Sequence, residues 1–243
     1  MEQQFLNLEF MGGAIIEIIK FIPVTLKITA VSMLFALIIA LTVAIIRIYK
    51  LPVLKELAVF YVSFIRGTPL LVQIYLSYYG FPKIFDYINL RYGYNIDISM
   101  VPAIIFVYVA FSLNVGAYLS ETFRASILSV DKGQSEAAQA LGMTKLQILK
   151  RIILPQAFVI AIPNIGNTVI SLVKDSSLAF IISVVEMMGQ AKIIGAPGLN
   201  FFEVYIVVAL VYWVLCIIIE KVISLIEVKL RKHEGGVKHD WAK

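Results

Sequence analysis

The chain has 243 residues, 60% of them hydrophobic, and its mean hydropathy of +0.89 excludes a soluble domain. A net charge of +5 and a pI near 9.2 indicate basic loops at a membrane face rather than a nucleic-acid partner. The single Cys216 lies in an apolar run and excludes an intrachain disulfide, and His233 and His239 sit in a polar tail at no metal-ligand spacing.

The hydrophobic pattern predicts an all-α membrane bundle of about five spans. Residues 1–20 read as an interfacial lead-in with no removable signal peptide, because MEQQFLNLEF holds neither a basic region nor a cleavage site. Phe5, Leu8, Met11, Ile15, Ile18 and Ile19 are expected to form one apolar stripe on the membrane surface. Span 1 covers about 22–48 and ends in a basic turn from Arg47 to Pro52. Span 2 covers about 55–79, and residues 80–100 read as an aromatic and polar loop. Span 3 covers about 101–124. Span 4 runs from about Pro155 to 173, followed by an apolar piece over 178–188 and a loop from Gly189 to Asn200. Span 5 covers about 202–226, and a charged tail closes the chain.

Between spans 3 and 4 the stretch 136–155, EAAQALGMTKLQILKRIILP, is polar and punctuated. Ser135 suits an N-cap, and Glu136 suits the positive end of a helix dipole. Ala137, Ala138, Ala140 and Leu141 make a short, smooth helix that Gly142 stops. Thr144 and Gln147 form a capping-box pattern that restarts a helix, and Leu154-Pro155 is expected to end it and open the next. The product is a helix–glycine–helix elbow carrying Lys145, Lys150 and Arg151, shaped as a peg for another protein's cleft.

Two polar interruptions fall inside the spans: Arg66-Gly67-Thr68-Pro69 and Lys174-Asp175-Ser176-Ser177. Polar, non-helical backbone at that depth survives where protein or water surrounds it, and transporters use such helix ends to hold ionic substrates. Arg66 and Asp175 therefore mark either a pathway or purely structural charge pairs. Asn114 and Glu121 share a face of span 3 with Tyr118 between them, and Asn164 and Asn167 share a face of span 4. These residues suit a zwitterion with hydrogen-bonding groups, although Glu121 at i, i+3 from Arg124 also fits an intrahelical pair. Arg47, Lys50, Lys55, Lys132, Lys145, Lys150, Arg151, Lys229, Arg231, Lys232 and Lys238 gather on one side, against Lys83, Arg91 and Lys192 on the other. The first side is expected to be cytoplasmic, with the N-terminus outside and the C-terminus and elbow inside.

Glu136-Ala137-Ala138, three residues, Gly142, nine residues, then Ile152-x-Leu154-Pro155 resembles the coupling-loop motif of permease subunits of ATP-binding-cassette importers. RGTPLLVQ over 66–73, Ala117-Tyr118-x-x-Glu121, Gly133-Gln134-x-Glu136-Ala137-Ala138, Leu154-Pro155-Gln156-Ala157 and Ile170-Ser171-Leu172-x-Lys174-Asp175-Ser176-Ser177-Leu178 resemble the polar amino acid branch, which carries histidine, arginine, glutamine and similar substrates. The match runs from about 22 to 215; Ser176 stands where that branch often has Thr, and a hydroxyl is kept. The resemblance implies one permease domain of the type I importer fold over 1–243, with a core at 22–226, a coupling loop at 132–155 and a cytoplasmic tail at 227–243. It implies a cytoplasmic (inner) membrane location, a second permease copy or close paralogue, two separate ATPase subunits that bind ATP and Mg²⁺, and an extracytoplasmic amino acid binding protein. The chain has no G-x-x-x-x-G-K-[ST] phosphate loop and is expected to bind no cofactor itself. Glu136, Ala137, Ala138 and Gly142 would couple to the ATPase. Glu121, Asn114, Asn164, Asn167, Arg66, Thr68, Asp175 and Ser176 would line the substrate path, with Glu121 meeting the α-ammonium group common to every substrate. The competing readings are a secondary carrier or channel working without an ATPase, an intramembrane enzyme, and a membrane scaffold. The first leaves the capped elbow unexplained, and the second lacks any Ser–His pair, paired catalytic Asp or H-E-x-x-H in the spans.

Overall fold

The structure, a computed structural model, describes residues 6–98 and 100–233, the last three by backbone alone. Phe5, Lys238 and His239 lie outside the described residues. The elements are α1 (Leu8–Ile19), α2 (Ile22–Ile48), α3 (Leu54–Gly67), α4 (Leu70–Tyr92), α5 (Ala103–Ser129), α6 (Lys132–Ala140), α7 (Lys145–Ile148), α8 (Leu154–Asp175), α9 (Met187–Gly195) and α10 (Phe201–His233). Among the described residues four helical stretches are long and apolar enough to cross a membrane, and the bent pair α3–α4 gives a fifth when counted as one span.

Helix α5 is the axis of the bundle, packed on α2, α3, α4 and α8. Its contact with α2 is the most extensive, and small side chains explain why. Ser32, Ala36, Ala40 and Ala44 form an i, i+4 row on α2, while Ser112, Gly116 and Ser120 do the same on α5. In lipid the apolar effect does not drive helices together, so close backbone approach and dispersion must do so. A Cβ on Gly116 would fall 2.9 Å from Ile39 Cγ2, which measures how tight the approach is. A first core joins α2, α4, α5 and α8; a second joins α1, α9 and α10.

The structure departs from the expected pattern in six places. Helix α1 buries Ala14 and Ile18 against α9 and α10, with Phe10 and Met11 alongside, while Leu8, Ile15 and Ile19 stay exposed; the anticipated stripe is therefore split between two faces. Residues 80–92, expected as loop, continue α4 through Pro82 until Gly93 caps it at φ +71°. Leu154-Pro155 does not separate two helices. Pro155 lacks the N–H that an α-helix would need, and the backbone widens to a π turn over Leu149–Ile153, in which Leu154 N donates to Leu149 O. The Lys174–Ser177 interruption is a tightening of α8 into a 3₁₀ turn over Ser176–Ile182, and the chain leaves the helix only at Ser183, with φ +63°. Residues 189–195, within the stretch expected as loop, belong to α9. Gly189 and Gly195 serve packing there, since a Cβ would lie 2.6 Å from Phe180 Cδ2 and 2.9 Å from Val204 Cγ1 respectively. Helix α10 also continues to His233, into the stretch assigned to the tail.

Candidate functional site

The bend between α3 and α4 is 114°. Pro69 forces Thr68 into an extended conformation, φ −122° and ψ 147°, and the helical ladder stops. Carbonyls freed by such a stop need partners at this depth. Gln73 supplies them: its Nε2 donates to Ile65 O at 2.8 Å, Thr68 O at 3.0 Å and Thr68 Oγ1 at 2.9 Å. Its Oε1 accepts from Asn114 Nδ2 of α5 at 2.9 Å. The glutamine of RGTPLLVQ thus fastens the bend to the central helix.

Beside this latch opens a cleft of about 600 Å³ between the bend, α5 and α8. Thr68, Asn114, Asn164, Asn167 and Asp175 line it, so the fold brings together five of the eight residues expected on the substrate path. Among the described residues no hydrogen bond or ion pair engages the partly buried Asp175 carboxylate; Lys174 is its neighbouring cation.

The other three lie elsewhere. Glu121 does not line the cleft: its carboxylate is shared between Arg47 of α2 and Arg124, the latter through Nε at 2.9 Å. Arg66 is exposed, with its guanidinium 5.4 Å from the centre of the Tyr118 ring. Ser176 is fully buried and donates to Val173 O at 2.7 Å. Tyr118, named above only as lying between Asn114 and Glu121, and Thr122, Thr168 and Ser171 also line the cleft. The signal was periodic: Tyr118 and Thr122 follow Asn114 at i+4 and i+8, and Ser171 and Asp175 follow Asn164 at i+7 and i+11. Also missed was Glu186, fully buried, which accepts from Gly189 N at 2.9 Å, Tyr212 Oη at 2.5 Å and Thr25 Oγ1 at 3.3 Å.

The elbow forms the second feature. Asp131 rather than Ser135 caps α6, accepting from Gly133 N at 2.7 Å, so this helix starts earlier than expected. Gly142 sits at φ +80°, the left-handed region that glycine occupies without strain. Thr144 and Gln147 make the full capping box, with bonds of 3.3 and 2.8 Å. Gln156 Nε2 of α8 donates to Gln134 Oε1 of α6 at 2.6 Å and braces the elbow's base. Ala138 is buried, Glu136 and Ala137 are exposed, and Leu141 at its apex is 85% exposed.

A family model described as "Binding-protein-dependent transport system inner membrane component" matches residues 32–232. The chain is 44% identical over 224 residues to the probable amino-acid permease protein YxeN of Bacillus subtilis, covering 92% of this chain and 96% of that one. It is 37% identical over 237 residues to the L-cystine transport system permease protein TcyL of the same organism, covering 98% and 96%. A crystal structure of an amino acid ABC transporter with histidines superimposes with a TM-score of 0.77 at 32% identity, covering 93% of this chain and all of that one. The chain belongs to the binding-protein-dependent inner membrane components, as a non-catalytic permease subunit of an amino acid ATP-binding-cassette importer.

Proposed function

We propose that this permease passes a polar amino acid, basic ones included, through the cleft between α3–α4, α5 and α8, driven by separate ATPase subunits that grip the elbow. The observation that carries the reading is the cleft itself, which lies between apolar, membrane-length helices and is lined by three amides and one carboxylate that has no partner among the described residues. An ionisable group held there without a structural partner is a functional group by default. Asp175 pairs with a positive group of the substrate, and Asn114, Asn164, Asn167 and Thr68 supply hydrogen bonds around it. Glu121 has both oxygens engaged by arginines and serves to tie α5 to α2.

The lysines and arginines near the elbow support an inside location for it, with the N-terminus outside and the C-terminus in the cytoplasm. A second permease copy or a close paralogue completes the pathway, an extracytoplasmic binding protein delivers the amino acid, and ATP with Mg²⁺ binds the partner ATPases. A motor can shift this permease between outward- and inward-facing states only by holding one elbow position more tightly than the other. The exposed Glu136, Ala137 and Leu141 offer that grip, Ala138 seats the helix on its base, and Gly142 gives the pivot.

Uptake into vesicles that contain the permease, its ATPase and its binding protein tests this. Asp175→Asn is expected to lower the apparent affinity for amino acid by about tenfold or more, the scale of one lost charge-assisted bond. Unchanged affinity in that variant would remove Asp175 from the site, and uptake that persists with no ATPase present would overturn the coupling.

A further inference from the structure

The hydrogen bonds at the bend form a chain in which every donor and acceptor is forced. Ile65 O and Thr68 O are carbonyl oxygens and can only accept. Gln73 must therefore turn its NH₂ edge toward them, as it does at 2.8 and 3.0 Å. That leaves Oε1, an acceptor, as the edge of Gln73 facing α5. Asn114 can meet it only by donating Nδ2, at 2.9 Å. Gln73 is 5% exposed, so no water competes to reverse the order. The amide of Asn114 is thereby held one way round, with its Oδ1 edge turned from the latch, and Asn114 lines the cleft.

We propose that Gln73 is a positioning residue that sets the polarity of the cleft: by taking Nδ2 of Asn114 it presents Asn114 Oδ1, an acceptor, to the α-ammonium group of the substrate. This rests on the reading of the cleft as the amino acid site. The break in α3–α4 thus does two things at once. It opens the space for the substrate, and its own unsatisfied carbonyls dictate, through one glutamine, which face of an asparagine the substrate meets. Thr68, whose Oγ1 also receives a bond from Gln73 Nε2, is held by the same device. The acceptors at Asn114 and Asp175 then recognise the ammonium group, and the substrate's side chain is left to the remaining wall.

The experiment compares two ligands on the purified permease–ATPase complex. The first is whichever of the twenty amino acids or L-cystine raises the melting temperature of the wild-type complex most. The second is the same acid without its α-amino group. A site built to bond a polar group rejects the analogue that lacks it, and discrimination of about a hundredfold or more is expected in the wild type. In Gln73→Leu the asparagine is free to turn over, and the discrimination is expected to collapse to about tenfold or less. Asn114→Leu leaves the bonds of Gln73 to the bend in place, so it separates the ligand contact from the bend's own support, and it should lose the same discrimination. If both variants weaken the two ligands by the same factor, Gln73 is structural only and the inference falls. If no amino acid stabilises the wild type, or the wild type does not discriminate, the cleft is not the amino acid site and the underlying reading falls instead.

Discussion

Glu186 is a carboxylate with no exposed surface that meets hydroxyl and backbone donors and none of the ion pairs found elsewhere in the chain. Its Oε1 caps α9 through Gly189 N, and its Oε2 gathers Tyr212 of α10 and Thr25 of α2. Thr25 and Tyr212 belong to helices of the two different cores, so one side chain stitches the cores together. Glu186→Ala strands three buried donors, and each bond to a charged group is worth about 1.5–3 kcal/mol. A loss of about 3 kcal/mol or more in stability is expected, read as the melting temperature of the purified protein. Glu186→Gln keeps an acceptor for Gly189 N and lets the hydroxyls reverse, so it should recover most of the loss; equal damage from both variants would contradict the cap. Sequence alone does not reveal this residue. Within SVVEMMGQA it is an acid between apolar runs, and its partners stand at positions 25, 189 and 212. Glu121 was half legible in the same sense: Arg124 is visible three residues away, while Arg47 arrives from another helix and decides where the carboxylate turns.

Elements were legible where their signals are local. The capping box at Thr144 and the left-handed Gly142 follow from neighbouring residues, and both stand where the spacing put them. Errors arose where a glycine or proline has a packing role. Gly189 and Gly195 read as loop residues but lie in α9, because a neighbouring side chain occupies the space a Cβ would need. Pro82 fell in a stretch read as loop and Pro155 in a dipeptide read as a break, yet helix continues through both, one with its backbone accommodated inside α4 and one by a π turn. The two uses of glycine give opposite predictions. Gly116→Val would press a branched side chain into Ile39, already 2.9 Å from a bare Cβ, and overpacking of this kind costs about 1–3 kcal/mol. Lower yield and melting temperature are expected, with any surviving protein still coupled. Gly142 has open space around its missing Cβ and a positive φ, so Gly142→Asp costs only about 1–2 kcal/mol of backbone strain. That variant should insert and assemble normally but hydrolyse ATP without uptake. Normal uptake by Gly142→Asp would remove the pivot from the mechanism.

For the molecule as a whole, the central question is which end of the bundle faces the cytoplasm, since an elbow on the outer face could not meet an ATPase. The basic turn after α2 and the C-terminal end of α5, from which the elbow leads on to α8, share one end of the bundle, where Arg47 pairs with Glu121. The aromatic C-terminal part of α4, with Lys83, Tyr87 and Arg91, leads through Tyr94 to the start of α5 and so belongs to the other end. Charge bias orients a membrane protein during insertion, because carrying lysines and arginines across is disfavoured. Two apex residues make the test clean, Leu141 at 85% exposure and Leu90 at 87%. With Cys216→Ala as background, Leu141→Cys and Leu90→Cys each offer one accessible thiol. A membrane-impermeant maleimide applied to intact spheroplasts is expected to label Leu90→Cys and to reach Leu141→Cys only after the membrane is permeabilised. The reverse pattern would invert the topology and detach the elbow from any cytoplasmic motor. Labelling of both from outside would mean that α3–α4 does not complete a crossing, and the 114° bend would then belong to a re-entrant loop with the cleft opening to one face only.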